Sequence, residues 1–240
     1  MFFLKIKYFF HFYKSKLLKK KSKEIYNDKK LKFENTLSNK KFSNRWFLNN
    51  FELFNFFLPK NKNKNFNYLE VGCFEGLSSF YILSEYKNVN AFLLDIWSTP
   101  KNSELSQINF QLIESNFDKN LFEFNFVKMK GDSVSSMKKL FNQKKSFDFI
   151  YIDGSHNGED ILSDAIEAFK ILKDDGLIFF DDFLQHDENR NIQSYQGIEK
   201  FLDLYSSFLI IEYFQNSLVV RKKNNWRGGR VVEGARLESV

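Results

Sequence analysis

The chain predicts an α/β fold: a mostly parallel seven-stranded sheet with a C-terminal antiparallel hairpin and flanking helices. Three observations carry that expectation. Short apolar runs alternate with helical patterns from Tyr68 onward, a glycine turn joins the first run to its helix, and only two residues separate the last two runs. Parallel neighbours need long crossover connections, whereas a two-residue link makes its strands antiparallel.

The elements follow in order. Met1 to Tyr13 is aromatic, and a lysine run extends from Lys14 to Lys23. Lys5, Lys7 and His11 interrupt the apolar residues and no small-residue cleavage site follows, so a secretory signal is not expected. Two readings stay open for residues 1–30: a helix lying on an anionic membrane surface or a partner, or a frayed basic extension. Residues 1–41 are set apart as a basic aromatic extension. Phe42 to Leu58 has apolar residues at near-helical spacing and is expected to pack on the domain as a leading helix. Pro59 and the Asn/Lys run to Asn65 make a linker that completes a 42–65 segment.

From Tyr68 the alternation is regular. Strands are expected at 68–72, 91–96, 124–129, 147–153 and 177–181, with helices near 76–86, 103–120, 133–142, 158–172 and 196–205. Strands separated by helices imply right-handed crossovers within a parallel sheet. The runs at 208–214 and 217–220 close it as a hairpin around Gln215 and Asn216, which sets the domain at 66–222. Four of the six arginines fall within residues 221–240. The tail 223–240 is expected to be disordered and to lie past the natural domain end.

The 240 residues suit one α/β domain with additions. A net charge of +6 hides a segregation. Residues 1–65 hold 17 Lys/Arg against 4 Asp/Glu, residues 66–220 hold 13 against 24, and residues 221–240 hold 6 against 2. The domain itself is acidic, which argues against a nucleic-acid substrate gripped by its face. The lone cysteine, Cys73, rules out an internal disulfide and reads as a packing residue. The 31 phenylalanines, beside scarce Ala and abundant Lys and Asn, fit a coding bias, so they read as core filler. No apolar run is long enough to span a bilayer. The expected location is cytoplasmic, peripheral at the membrane if the arm binds lipid. The oligomeric state is not legible.

The most informative stretch is Tyr68-Leu-Glu-Val-Gly-Cys-Phe-Glu-Gly76. A strand runs through Glu70 to Gly72, and Gly76 opens a helix, an arrangement that lets backbone approach a ligand closely. The spacing is not G-x-G-x-x-G, which disfavours a nicotinamide oxidoreductase. An acid ahead of G-x-x-x-G suits a ligand with an amino group and hydroxyls. The second strand ends in Asp95, where a carboxylate can accept both hydroxyls of a ribose or cap the next turn. Asp153 ends the fourth strand, and Asp181 and Asp182 end the fifth. Adjacent strands are about 5 Å apart, so three carboxylates would converge and raise one another's pKa. A hard divalent cation with part of its shell as water, Mg²⁺ above all, relieves that repulsion. The alternative is one Asp capping a helix and another meeting a lysine.

Glu70-x-Gly72-x-x-x-Gly76 resembles motif I of the class I methyltransferases that use S-adenosylmethionine. Asp153-Gly-Ser-His156 after a buried strand, with Phe180-Asp-Asp-Phe183 after the next, resembles the methyltransferase domain 24 family of small-molecule O-methyltransferases. The pair is also similar to the metal-dependent catechol and sugar O-methyltransferases. The likeness runs from about Phe42 to Val220 and implies a Rossmann-like methyltransferase fold. It implies S-adenosylmethionine contacts at Glu70, Gly72, Cys73, Phe74, Gly76, Asp95, Ile96 and Asp153. Asp132 and Ser133 would lie beside the adenine, with Ser133 alternatively a simple N-cap.

In the metal-dependent relatives, acids matching Asp153, Asp181 and Asp182 hold Mg²⁺. The general base of the catechol enzymes is a lysine three positions after the first Asp. Here that position is His156, a departure, so His156 is either the base or a donor that fixes its loop. The resemblance makes Asp153 and His156 the catalytic pair. The implied reaction is in-line methyl transfer to a hydroxyl oxygen of a small hydroxylated acceptor such as a sugar or glycosylated metabolite. Polar residues from Gln185 to Tyr195 are expected to border the acceptor pocket. The competing class is a non-catalytic nucleotide-fold scaffold docked through its basic arm, against which the retained Glu70, Asp95, Asp153 and His156 argue.

Overall fold

The computed structural model describes residues 8–98, 109–184 and 193–224. Its seven strands are β1 (Phe66–Val71), β2 (Val89–Asp95), β3 (Val127–Lys130), β4 (Phe147–Ile152), β5 (Leu172–Phe180), β6 (Leu209–Phe214) and β7 (Leu218–Lys222). They form one sheet in the order β3-β2-β1-β4-β5-β7-β6. Pairing is parallel from β3 to β5 and antiparallel at β5-β7 and β7-β6. β1 and β4 are near-continuous apolar runs because helices cover both of their faces.

The helices are α1 (Phe9–Asn35), α2 (Phe51–Phe57), α3 (Leu77–Glu85), α4 (Phe110–Leu121), α5 (Ser133–Asn142), α6 (Gly158–Ile171) and α7 (Gln193–Tyr205). The 103–108 part of one expected helix, most of the expected acceptor border and the tail from 225 lie outside the described residues.

The sheet divides two apolar layers. One joins Phe33, Phe51, Phe54, Tyr81, Phe149 and Phe179, and the other joins Leu69, Ile150, Met137, Ala165, Phe169 and Phe201. Phe54 is fully buried, with ring centroids of Phe149, Tyr151 and Phe179 at 5.2, 5.1 and 5.5 Å.

Four expectations need correcting. The leading segment is not one helix: a 3₁₀ turn at Trp46–Asn49 precedes α2. Glu75 captures the Ser43 backbone and Asn120 captures Lys41, which holds that path extended. β3 starts at Val127 because Phe124 and Phe126 pack into the core from the preceding turn. β5 begins earlier, directly after α6. Finally, of the two readings left open for the arm, the frayed one does not hold for its described part, since α1 is a continuous 27-residue helix. Ser15 Oγ accepts the Phe214 N–H at 2.8 Å, Tyr8 stacks on Phe214 at 4.7 Å, Phe33 stacks on Phe51, and Lys29 pairs with Glu85 at 2.6 Å.

Candidate active site

Chain order runs outward from β1 through β2 to β3, then outward on the other side through β4 and β5. The switch therefore falls between β1 and β4, where open α/β sheets bind ligands beyond the strands' carboxyl ends. Register keeps those ends level: Val71 pairs with Leu94 and Ile152, and Ile152 with Phe180. The ladder continues one step further. Gly72 N–H donates to Leu94 O, Asp153 N–H to Val71 O, and Asp181 N–H to Ile152 O, at 2.8 to 2.9 Å. Gly72 has φ +88°, and a Cβ there would lie 2.1 Å from the Asp153 carbonyl oxygen. Gly76, at φ +81°, precedes α3, and its Cβ would press on the Phe117 ring at 2.9 Å. These two glycines let β1 turn tightly against β4 and α4.

Asp95 ties two loops together. Its carboxylate accepts the N–H of Phe74 and of Trp97, each at 2.8 Å, and Trp97 Nε1 donates to Phe74 O. Burial pushes the Asp95 carboxyl up, and the backbone N–H groups of Trp97 and Phe74 oppose that. Capping of the turn is thus realised. Ile96 is exposed beside it.

Glu70 and Cys73, both expected at the cofactor, have buried side chains with partners inside the protein. Glu70 has no exposed surface, and hydroxyls of Tyr68, Ser78 and Ser79 donate to its two oxygens. Burial raises its carboxyl to about 7 despite those three donors. Glu70 therefore braces the glycine turn against α3. Cys73 is buried with its thiol on the Glu70 and Leu94 carbonyls, and burial pushes the thiol up, as befits a packing residue. Asp132, not Ser133, is the N-cap of α5, accepting from Ser135 N–H at 2.8 Å. Ser133 Oγ instead donates to Asp164, whose carboxyl burial lifts to about 7.

Asp153, Asp181 and Asp182 do converge beyond β4 and β5. Burial pushes the Asp153 carboxyl well up, and the charges of Asp181 and Asp182 push it further. The Asp182 carboxyl is also raised, by burial and then by Asp181, while His156 acts in the opposite sense. His156 is exposed, and its carbonyl accepts the Ser194 hydroxyl at 3.2 Å, which ties the loop to α7.

The expected three-carboxylate metal shell is not preassembled. Among the described residues no group of three His, Cys, Asp or Glu is spaced to hold a metal ion. The Asp181 oxygens are engaged instead by Asn50 Nδ2 at 2.6 Å, Tyr151 OH at 2.6 Å, Ser217 Oγ at 3.2 Å and Asp182 N–H at 2.9 Å.

Sequence reasoning missed these partners. Asn50 and Tyr151 carry no motif, and Asn50 is 131 residues from Asp181 in the chain. It also passed over Glu75, inside the glycine turn, which is buried and bound by Ser43 and Asn116.

Residues 69–183 match a family model described as a methyltransferase domain. They thus carry a methyltransferase domain, on a sheet of Rossmann-like order. Among solved structures, it is similar to the MycE methyltransferase of the mycinamycin biosynthetic pathway, in complex with Mg, SAH and mycinamycin VI. That likeness has 16% identity and a TM-score of 0.54, covering 82% of this chain and 54% of MycE. The chain thus spans about half the length of MycE. It is also similar to a Staphylococcus aureus protein provisionally assigned as a caffeoyl-CoA O-methyltransferase, with 16% identity and TM-score 0.54, covering 86% of this chain and 99% of that one. No curated protein sequence matches the chain.

Proposed function

We propose that this chain methylates a hydroxyl oxygen of a small hydroxylated acceptor, such as a sugar or glycosylated metabolite, with Mg²⁺ assisting. The observation that carries the reading is the cluster of Asp153, Asp182 and His156 one strand away from the Gly72 turn. In this reading the turn and Asp95 hold S-adenosylmethionine, and the acceptor enters on the β4–β5 side. The acceptor oxygen attacks the methyl carbon opposite sulfur. The O–C bond forms as the C–S bond breaks, with its electron pair left on sulfur as a neutral thioether. The hydroxyl proton passes to a ring nitrogen of His156, and the Asp182 carboxylate faces the charge this creates.

The carboxylates suit a hard cation in kind. They are oxygen donors under mutual repulsion, and among the described residues no lysine or arginine bonds to them. Asp153, Asp181 and Asp182 would hold Mg²⁺, which when bound supplies charge that favours the ionised acceptor.

The test is formation of S-adenosylhomocysteine with a panel of sugars, glycosides and catechols, with Mg²⁺ or with EDTA. Turnover of a hydroxylated acceptor that chelation abolishes supports the reading, and full turnover in EDTA removes the metal from it. His156→Gln should retain cofactor affinity and lose roughly 10²–10⁴-fold in rate. An unchanged rate would move the base elsewhere.

A further inference from the structure

We propose that the outward face of α1 docks onto an anionic lipid bilayer. The inward face of this helix is already committed, with Ser15 on β6, Tyr8 on Phe214 and Phe33 on Phe51. At 100° per residue, Phe10, Tyr13 and Leu17 point the opposite way, and Phe9 borders them. They are exposed despite their size: Phe10 by 84% and Leu17 by 72%. The rings cluster among themselves, with Phe9 to Tyr13 at 4.6 Å and Phe9 to Phe10 at 5.7 Å. Lys14 and Lys21 fall along one border of this stripe, and Lys16 and Lys20 along the other. Residues 1–23 contain no acid at all, and among the described residues Lys14, Lys16 and Lys21 form no ion pair.

An apolar stripe about 12 Å long from Phe9 to Leu17, bordered on both sides by lysine, matches a helix lying in the headgroup layer. Among the described residues no helix is long and apolar enough to cross a membrane, so lying on the surface is the mode this face serves. A protein partner would leave the double lysine border to find matched acids, whereas an anionic headgroup layer offers them everywhere. The face also begins at the site end of the sheet. Phe214 is level with Leu218, and Leu218 with Phe180, the residue before Asp181. Tyr8, stacked on Phe214, thereby anchors the start of α1 beside the strand ends that carry the carboxylates. A bilayer on this face would lie next to that end.

The experiment is sedimentation of the full chain with phosphatidylcholine vesicles that contain or lack about one third phosphatidylserine, a composition chosen to give a negative surface potential. The full chain should bind the anionic vesicles, fail to bind the neutral ones, and be released by salt. Combining Lys14→Gln, Lys16→Gln, Lys20→Gln and Lys21→Gln should weaken that binding at least about tenfold. Phe10→Ser with Leu17→Ser should weaken it while the lysines remain. All these positions are exposed, and calorimetric S-adenosylmethionine binding by each variant checks that the domain is intact. In the Phe10→Trp chain, brominated lipid should quench emission beyond that seen in the unaltered chain, reporting insertion of the stripe. Indifference to both vesicles, or variants that sediment like the parent, would overturn the proposal. So would a concentration-dependent dimer abolished by Phe10→Ser, which would assign the face to a second copy.

Discussion

Gly72→Ala isolates the geometry on which the site depends. The residue has φ +88°, and a Cβ at that position lies 2.1 Å from Asp153 O and 2.5 Å from its carbonyl carbon. Both atoms are backbone of the neighbouring strand end, so no side chain can rotate away. A left-handed non-glycine residue costs about 1–2 kcal/mol, and forcing extra volume into packed structure costs about 1–3 kcal/mol. The variant should therefore lose about 2–5 kcal/mol, read as a fall in the urea midpoint at constant slope. Two neighbours separate the contributions. Gly131 has φ +148° with nothing within 4 Å of its Cβ, so Gly131→Ala carries the backbone cost alone, about 1–2 kcal/mol. The Cβ of Gly154 would meet only Val71, at 3.7 Å, and Gly154→Ala should stay within about 0.5 kcal/mol of the parent. If Gly72→Ala unfolds at the same urea concentration as Gly154→Ala, the close approach of β1 to β4 is not what this glycine serves.

Three further outcomes are expected. The Glu70 carboxyl titrates near 7 when folded against 4.5 as its ordinary value, so burial disfavours its charged form. Its contribution is most favourable below pH 4.5 and is lost as pH rises through 7, by up to about 3 kcal/mol. Glu70→Gln should thus gain stability relative to the parent between pH 5 and pH 8, and parallel pH profiles would refute the buried charge. Phe54→Ala removes a ring wedged against β4 and β5 and should cost about 3–5 kcal/mol in chemical denaturation; a loss under 1 kcal/mol would show that α2 is not a keystone of that layer. Asp182→Gly relieves a left-handed non-glycine residue and a repelling charge, so it should add about 1 kcal/mol of stability while methyl transfer falls. Higher stability with undiminished turnover would remove Asp182 from the reaction.

How much of this was legible follows from where each signal resides. β1 and β4 announce themselves because strands buried on both faces must be apolar throughout, and the next residue is forced to the strand end. That is why Gly72, Asp153 and Asp181 were found, and register alone brings them level. Side-chain direction was not legible. Glu70 occupies the expected position, yet it turns toward Ser78 and Ser79 on α3 and never reaches a surface. The only hint was the Ser-Ser pair in that helix's first turn. Asp181 likewise stands at a strand end, but its partners come from Asn50 and Ser217, and no local pattern encodes such pairings. The two readings of the arm stay open at the level of sequence for a third reason. The buried face of α1 uses the small polar residues Ser15 and Ser22, which allow close approach to the sheet but leave no apolar stripe to read. Phe9, Phe10, Tyr13 and Leu17 of its first half are exposed instead.

Backbone strain gives the last argument about the site. Five described non-glycine residues have positive φ, and three of them follow strand ends at the carboxyl edge: Phe74 (φ 50°) after β1, Trp97 (φ 38°) after β2 and Asp182 (φ 47°) after β5. Each conformation costs about 1–3 kcal/mol and persists only where surrounding contacts over-determine it. For Phe74 and Trp97 those contacts are known. Asp95 accepts both of their backbone N–H groups, and the Trp97 indole donates back to Phe74 O. The Trp97 ring is buried and packs 4.6 Å from Phe117, which in turn fills the space that Gly76 leaves open. The same carboxylate assigned to the cofactor is therefore the clasp that holds the two loops in place. In the proposed function, S-adenosylmethionine would meet two loops that are already ordered. Among the described residues, the strain at Asp182 is held by its N–H on Asp181. In the proposed function this residue lies on the acceptor side, opposite the clasped loops that would hold the cofactor.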